Sequence, residues 1–375
     1  MPSPVALTAC PDYDRNNVRQ ALEKLLELAP PPDVRGKTVL LKPNILFPKK
    51  AESAVCTHPE VVYASVRAFL ERGASEVLAG DSPAIAGSRM AAKACGIYDA
   101  VIEAGGIWAD FDGSVPVACP EGKLVKAFTF AEVFERADIL VTLPKLKTHR
   151  LMAYTGAMKN LFGLMVGLDK AQIHFRFPER KEFSAFLTDL NLAAKASYGI
   201  MDSIIAMEGP GGPGNGRPVR VGVLAASPDI LALDWISSSL VGYQPEKIEN
   251  LADALDRGRW LSDPSDILLL GDSFESLKPR KFDIVKSFRG NDLLKPYMPR
   301  FFHTFASFVF LLWPHFVSKK CIRCGNCIKI CPGKALRFET RKKRAFVVLD
   351  RKKCLHCFCC HEICPEDAIR LRRIP

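Results

Sequence analysis

Eight of the thirteen cysteines fall in two matched runs: Cys321, Cys324, Cys327 and Cys331 before Pro332, then Cys354, Cys357, Cys360 and Cys364 before Pro365. Each run reads C-x-x-C-x-x-C-x-x-x-C-P, a spacing in which three thiolates bind one 4Fe-4S cluster and the fourth crosses to the other. It predicts one cluster on Cys321, Cys324, Cys327 and Cys364 and a second on Cys354, Cys357, Cys360 and Cys331. Structural zinc also uses C-x-x-C pairs, but zinc gives no reason for two copies of one four-cysteine run, each closed by proline. Cys359, inside the second run, reads as a buried spare thiol. The predicted chemistry is electron transfer.

A second set of candidates lies upstream, where short apolar runs give way to polar residues: Lys42-Pro43-Asn44, then Gly80-Asp81-Ser82-Pro83, then Pro144-Lys145-Leu146-Lys147-Thr148-His149. Thr155-Gly156-Ala157-Met158-Lys159-Asn160 and His174 follow. A single lysine or histidine of this kind is ordinary solvated charge or a satisfied polar residue. Their convergence predicts a pocket for an anionic small molecule with acid/base groups. The catalytic candidates are Lys159, His149, Lys147, Lys145 and Asp81, and the cofactor-binding candidates are Lys42, Asn44, Asn160 and His174.

The elements that must position these residues alternate. Strands are expected at Val39–Leu41, Glu76–Ala79, Ile139–Leu143 and Val219–Ala225, with Gly199–Met207 a further apolar run. Helices are expected at Pro59–Arg72, Arg89–Cys95, Phe130–Arg136 and Pro228–Val241, the last capped by Asp229. This pattern predicts an α/β fold over residues 1–290, a mainly parallel sheet with flanking helices, with its chemistry at the carboxyl ends of the strands. Residues 319–375 predict a small α+β two-cluster domain, in which 321–339 repeats as 354–372 and the RKKR strip at 341–344 sits on the hairpin between the halves. Between them, 291–318 is an apolar, proline-bounded linker helix. Its core, Phe301–Val317, either packs between the two modules or rests on a membrane as a peripheral contact. The Gly209–Pro218 loop is too proline-rich for a dinucleotide fingerprint and reads as a lid or long turn. Asp202 and Glu208 flank it as candidate metal-facing carboxylates, with a solvated loop face as the commoner alternative. No Walker or G-x-S-x-G motif occurs, so nucleotide hydrolysis and serine chemistry are not expected.

Charge is segregated. Lys319–Pro375 holds 16 basic and 5 acidic residues, so the rest of the chain holds 52 − 16 = 36 basic and 41 − 5 = 36 acidic, and the whole +11 excess lies on the cysteine-rich segment. A basic surface around clusters suits an acidic redox carrier such as a ferredoxin or flavodoxin. With little aromatic interleaving, nucleic acid is not expected as a partner. Leu7-Thr8-Ala9-Cys10 lacks a basic start or apolar run before it and reads as the end of a first strand. With unpaired thiols at Cys10, Cys56, Cys95 and Cys119 and oxygen-sensitive clusters, a reducing cytoplasm is the expected location.

These residues carry resemblances. LLKPNI, GDSP, ADILVTLPKLKTH, TGAMKNLFG and MDSIIAMEGPG with LALDW resemble the family catalogued as domain of unknown function 362 across about residues 3–290. Residues 319–373 resemble a bacterial two-cluster ferredoxin. Together they imply an iron–sulfur protein of anaerobic metabolism. More weakly, residues 137–174 are similar to the nickel-dependent lactate racemase family. That likeness implies a nickel-type or organic cofactor, with Lys159 as a cofactor or carbonyl anchor, His149 as a proton shuttle and His174 as a metal ligand or second base. His58 is the nearest candidate for that family's other histidine.

Three functions stay open. The first is an oxidoreductase passing electrons from the acidic carrier through both clusters to an anionic substrate or cofactor, with Lys42, Lys145, Lys147 and Lys159 clamping it. The second is a non-enzymatic electron carrier or cluster-assembly partner. The third is a lactate-racemase-like isomerase.

Overall fold

The computed structural model describes residues 2–166, 169–285, 312–341 and 344–373. Twelve strands lie in the larger part: β1 Ser3–Ala9, β2 Thr38–Pro43, β3 Glu76–Ala79, β4 Ile107–Trp108, β5 Val115–Ala118, β6 Ala127–Phe130, β7 Ile139–Leu143, β8 Lys145–His149, β9 Ala153–Thr155, β10 Tyr198–Glu208, β11 Arg217–Ser227 and β12 Ile267–Gly271. Ten of them form one sheet in the order β12-β1-β11-β10-β7-β2-β3-β4, with β8 beside β10 and β9 beside β8. The run β10-β7-β2-β3-β4 is parallel, and antiparallel pairs join β11 to its two neighbours. β2, β3 and β7 are buried almost along their whole length, as strands covered on both faces must be.

Helices cover both faces. Arg15–Leu28 and Pro59–Glu71 bury their apolar stripes on one side; Arg180–Ala194, Ile230–Leu240 and Glu249–Arg257 bury theirs on the other. The starts are capped where the sequence predicts. Asp229 accepts from the amides of Leu231 and Ala232, and Pro59 opens its helix behind an N-terminal His58. The expected helix at Phe130–Arg136 is instead the end of β6 followed by a 3-10 turn, Glu132–Arg136. The Arg89–Cys95 helix is found as Ser88–Ala94, and a further short helix, Ile97–Glu103, follows it after the left-handed Gly96.

In the cysteine-rich part, β13 Leu312–Phe316 pairs with β16 Ile369–Arg373, and β14 Leu336–Arg341 pairs with β15 Arg344–Leu349. The linker helix expected over 291–318 is therefore corrected at its end: residues 312–316 are a strand of the small domain. Up to 311 the linker, and the membrane contact expected from it, lie outside the described residues. A short apolar run has no periodicity that separates helix from buried strand, and Pro314 is tolerated because a two-stranded ladder has only edges. Among the described residues no helix is long and apolar enough to cross a membrane.

Candidate active site beside the dicluster module

Cys321, Cys324, Cys327 and Cys364 line one cavity, and Cys331, Cys354, Cys357 and Cys360 line another. The exchange of the fourth cysteine is the one the spacing predicts. Two such cavities, each walled by four sulfurs, fit 4Fe-4S clusters. Cys324 is exposed, as are Ile322, Lys319, Lys320, Arg323 and Lys329 in the same segment, and exposed Phe338 lies beside the neighbouring Gly325. Cys359 is buried against Cys357 as a spare thiol.

The upstream candidates converge because β8 continues the line of β7 past the sheet's carboxyl edge. Both strands lie beside β10, and the Asp202 amide donates to the Pro144 carbonyl at the bend, 3.0 Å. Alternation along β8 puts Lys145, Lys147 and His149 on one face. All three are buried.

Most of these polar ends are already used. Lys145 Nζ donates to Asp202 Oδ2 (2.8 Å) and to the Tyr13 hydroxyl (2.6 Å). Lys42 Nζ pairs with Asp81 Oδ1 (2.8 Å) and donates to Asn160 Oδ1 (3.2 Å) and the Pro43 carbonyl (2.9 Å). Asp81 also accepts the amides of Ile45 (2.6 Å) and Ser82 (2.8 Å). Asn160 donates to the Lys42 carbonyl and Thr142 Oγ1, and its oxygen accepts from Lys42 and Asn44. Both its donors and both its lone pairs are thus occupied. Lys42, Lys145, Asp81, Asn44 and Asn160 frame the site; the anion clamp expected of Lys42 and Lys145 is corrected, since each of these two ammoniums is already paired with a buried carboxylate. Asp202 is likewise neither metal-facing nor solvated, and Glu208 pairs with Arg217 at 3.0 Å.

The groups left free to act are Lys147, His149, Lys159 and His174, joined by Glu362 from the cluster module. Lys147 Nζ donates to Asn44 Oδ1 (2.6 Å) and the Val55 carbonyl (2.7 Å) but has no carboxylate partner, and burial brings it down to about 7. His149 Nδ1 accepts the amides of Leu151 and Met152, both at 3.1 Å, so its hydrogen sits on Nε2. That Nε2 lies 3.4 Å from Glu362 Oε1. Burial, then the Lys159 charge, holds the imidazole neutral, well below its ordinary range. His174 stacks on Phe183 and is pushed down to about 3 by burial and by Lys159. Burial also lowers Lys159, with Glu362 opposing, and among the described residues its amine makes no hydrogen bond or ion pair. Burial pushes Glu362 up to about 8, against the pull of Lys159.

Two of these positions were not found from sequence. Glu362 sits on the short helix Cys359–Glu362, between cluster ligands Cys360 and Cys364, and only docking of the module brings it to His149. Asp234 holds the Lys159 helix by its start, accepting the amides of Ala157 (2.6 Å) and Met158 (2.9 Å). Its place in LALDW was visible, its contact was not. His58 is elsewhere, stacked on Tyr13 at 3.5 Å beside Lys145 and Asp202. Among the described residues no three His, Cys, Asp or Glu converge on one point as a single metal ion requires. With His174 against Phe183 and His58 in another cluster, these residues do not fit a nickel centre, and no step is derived through one.

The family described as domain of unknown function (DUF362) matches residues 39–239, and a 4Fe-4S dicluster domain matches residues 320–368. The Synechocystis sp. "Thylakoid-associated protein sll1697" is 34% identical over 219 residues, 58% of this chain and 67% of that protein. A Thermotoga maritima protein of solved structure is similar with a TM-score of 0.32 and 16% identity over 52% of this chain; the match spans about half of that protein, 51%.

Proposed function

The chain belongs to the DUF362 family and carries a 4Fe-4S dicluster domain, and from that premise we propose that it is a ferredoxin-linked oxidoreductase acting on an anionic small molecule. The observation that carries this reading is Glu362: it lies between Cys360 and Cys364, which belong to different predicted cluster sets, and its carboxyl stands 3.4 Å from His149 Nε2 of the larger domain. The clusters supply electrons one at a time. Exposed Ile322 and Phe338, with exposed Lys319, Lys320, Arg323 and Lys329 in the Ile322 segment, support a docking surface for an acidic carrier. Lys159 and Lys147, with the Arg180 charge also felt at His149, favour an anion in the site. His149, neutral and with its hydrogen on Nε2, hands that proton to the reduced substrate and recovers one from Glu362. Thirteen cysteines, eight in the cluster runs and none in a disulfide, support the expectation of a reducing, oxygen-poor cytoplasm.

The test is reoxidation. Reduced holoprotein is mixed anaerobically with a panel of small carboxylates and phosphates while cluster absorbance is followed. At least one compound should speed reoxidation in the wild type and fail to do so in Lys159→Ala and His149→Ala. No acceleration by any compound, or equal acceleration in the variants, would leave an electron carrier without this site.

A further inference from the structure

Apart from the site at His149, a cleft of about 480 Å³ opens where the 209–217 loop meets the cluster module. Both parts of the molecule wall it: Arg150, just after β8, and the loop on one side, His361 and Arg370 of the module on the other. The loop between them is fixed at both ends. Its Gly212 carbonyl accepts the Arg150 amide at 3.2 Å, and its Gly209 carbonyl accepts Thr148 Oγ1 at 2.8 Å. Towards the module, the Asn215 side chain donates to the His361 and Cys364 carbonyls, at 3.3 and 3.0 Å. The cleft is therefore a formed feature of the seam.

Its lining has the chemistry of an anion site. His361 is 5% exposed, and its buried Nδ1 has no hydrogen-bond partner among the described residues. An orphaned polar atom of this kind marks a place where a ligand, ion or water completes the bonding. Arg370 is exposed on β16, and among the described residues its guanidinium makes no ion pair or hydrogen bond. The carboxylates of the lining have cations of their own: Glu208 and Asp283 meet Arg217 at 3.0 and 3.3 Å, and Asp367 meets Lys320 at 3.2 Å. We propose that this cleft binds a small organic polyanion, a polycarboxylate or a phosphate ester, with its acidic groups on Arg150 and Arg370 and a polar group at His361. A guanidinium fork pairs with either acid through two parallel hydrogen bonds. The volume lies within the roughly 300–1,000 Å³ of clefts that hold small organic molecules, and Ile369 and Leu371 offer apolar wall to a carbon skeleton. Bound there, the anion ties Arg150 of the larger part to Arg370 of the module, whose strand lies against the Cys359–Glu362 helix. Occupancy thus bears on how firmly Glu362 is held at His149, while binding itself does not depend on the electron-delivery reading above.

Anaerobic holoprotein is titrated by calorimetry with citrate and, separately, with 2,3-bisphosphoglycerate. At least one should bind with a single ligand per chain, citrate reporting the carboxylate class and bisphosphoglycerate the phosphate class. Affinity should fall at least ~10-fold in Arg370→Gln, the loss of one bidentate pair, and stay within about twofold in Lys352→Gln, which removes the same charge from an exposed position of the module outside the cleft. It should also persist in Lys159→Ala. Arg370 is exposed, so its replacement should spare the fold, and unchanged iron content and cluster signals check that. No binding of either compound, or an equal loss in Lys352→Gln and Arg370→Gln, overturns the proposal. Binding lost in Lys159→Ala but kept in Arg370→Gln would assign the anion to the site at His149 and overturn it as well.

Discussion

At the scale of single residues the lysines divide into two kinds, and stability measurements separate them. Lys145 is sealed against Asp202, so Asp202→Asn leaves a buried ammonium without its counter-charge and should cost about 3–5 kcal/mol in urea unfolding. Lys159 has no partner among the described residues, so Lys159→Ala should change stability by less than about 1 kcal/mol while lowering turnover at least ~10²-fold. His149 gives a pH signature. Its folded pKa lies well below the unfolded value of about 6.5, so below that pH the unfolded chain binds the extra proton. Its contribution to stability is complete above about pH 6.5 and is lost as pH falls, by up to about 1.4 kcal/mol per pH unit. His149→Gln should flatten the unfolding midpoint between pH 7 and 5 by that amount; an unchanged slope would mean the imidazole is charged in the fold.

At the scale of elements, two close approaches set the site. Gly163, in the turn after the Lys159 helix, lies against the Lys42–Asp81 pair, where a Cβ would stand 2.3 Å from Asp81 Oδ1. Gly214 brings the 209–217 loop onto the Cys359–Glu362 helix, and the Asn215 amide secures it by donating to the carbonyls of Cys364 (3.0 Å) and His361 (3.3 Å). Gly214→Ala should leave iron content and both cluster signals intact yet slow cluster reoxidation by substrate, because it pushes Glu362 away from His149. Normal reoxidation in this variant would show that the contact is not used. The loop was readable as a lid or long turn; that it closes on the cluster module was not, since the two segments lie about 150 residues apart in the chain.

At the scale of the molecule, a charge-neutral α/β body carries a strongly basic electron-transfer module. Association with an acidic carrier should slow several-fold between low and physiological ionic strength, since the Debye length shrinks to about 8 Å at 0.15 M. Stopped-flow rates independent of salt would argue against the basic rim as the entry surface. Replacing Lys319, Lys320 and Arg323 by glutamine should reduce that salt dependence without altering the spectra of the reduced clusters.

Features that depend on local spacing are legible in the chain. The cysteine runs specify their cluster exchange, because ligand spacing fixes which thiolates one loop can bring together. Buried apolar runs and caps such as Asp229 specify the alternating elements and hence the sheet. Alternation along Lys145–His149 places three polar side chains on one face. What those side chains meet was decided only in three dimensions: Lys145 finds Asp202, Lys42 finds Asp81, and His149 finds Glu362 from more than 200 residues away. A buried charge takes its role from its partner, and partners distant in the chain leave no mark in local spacing.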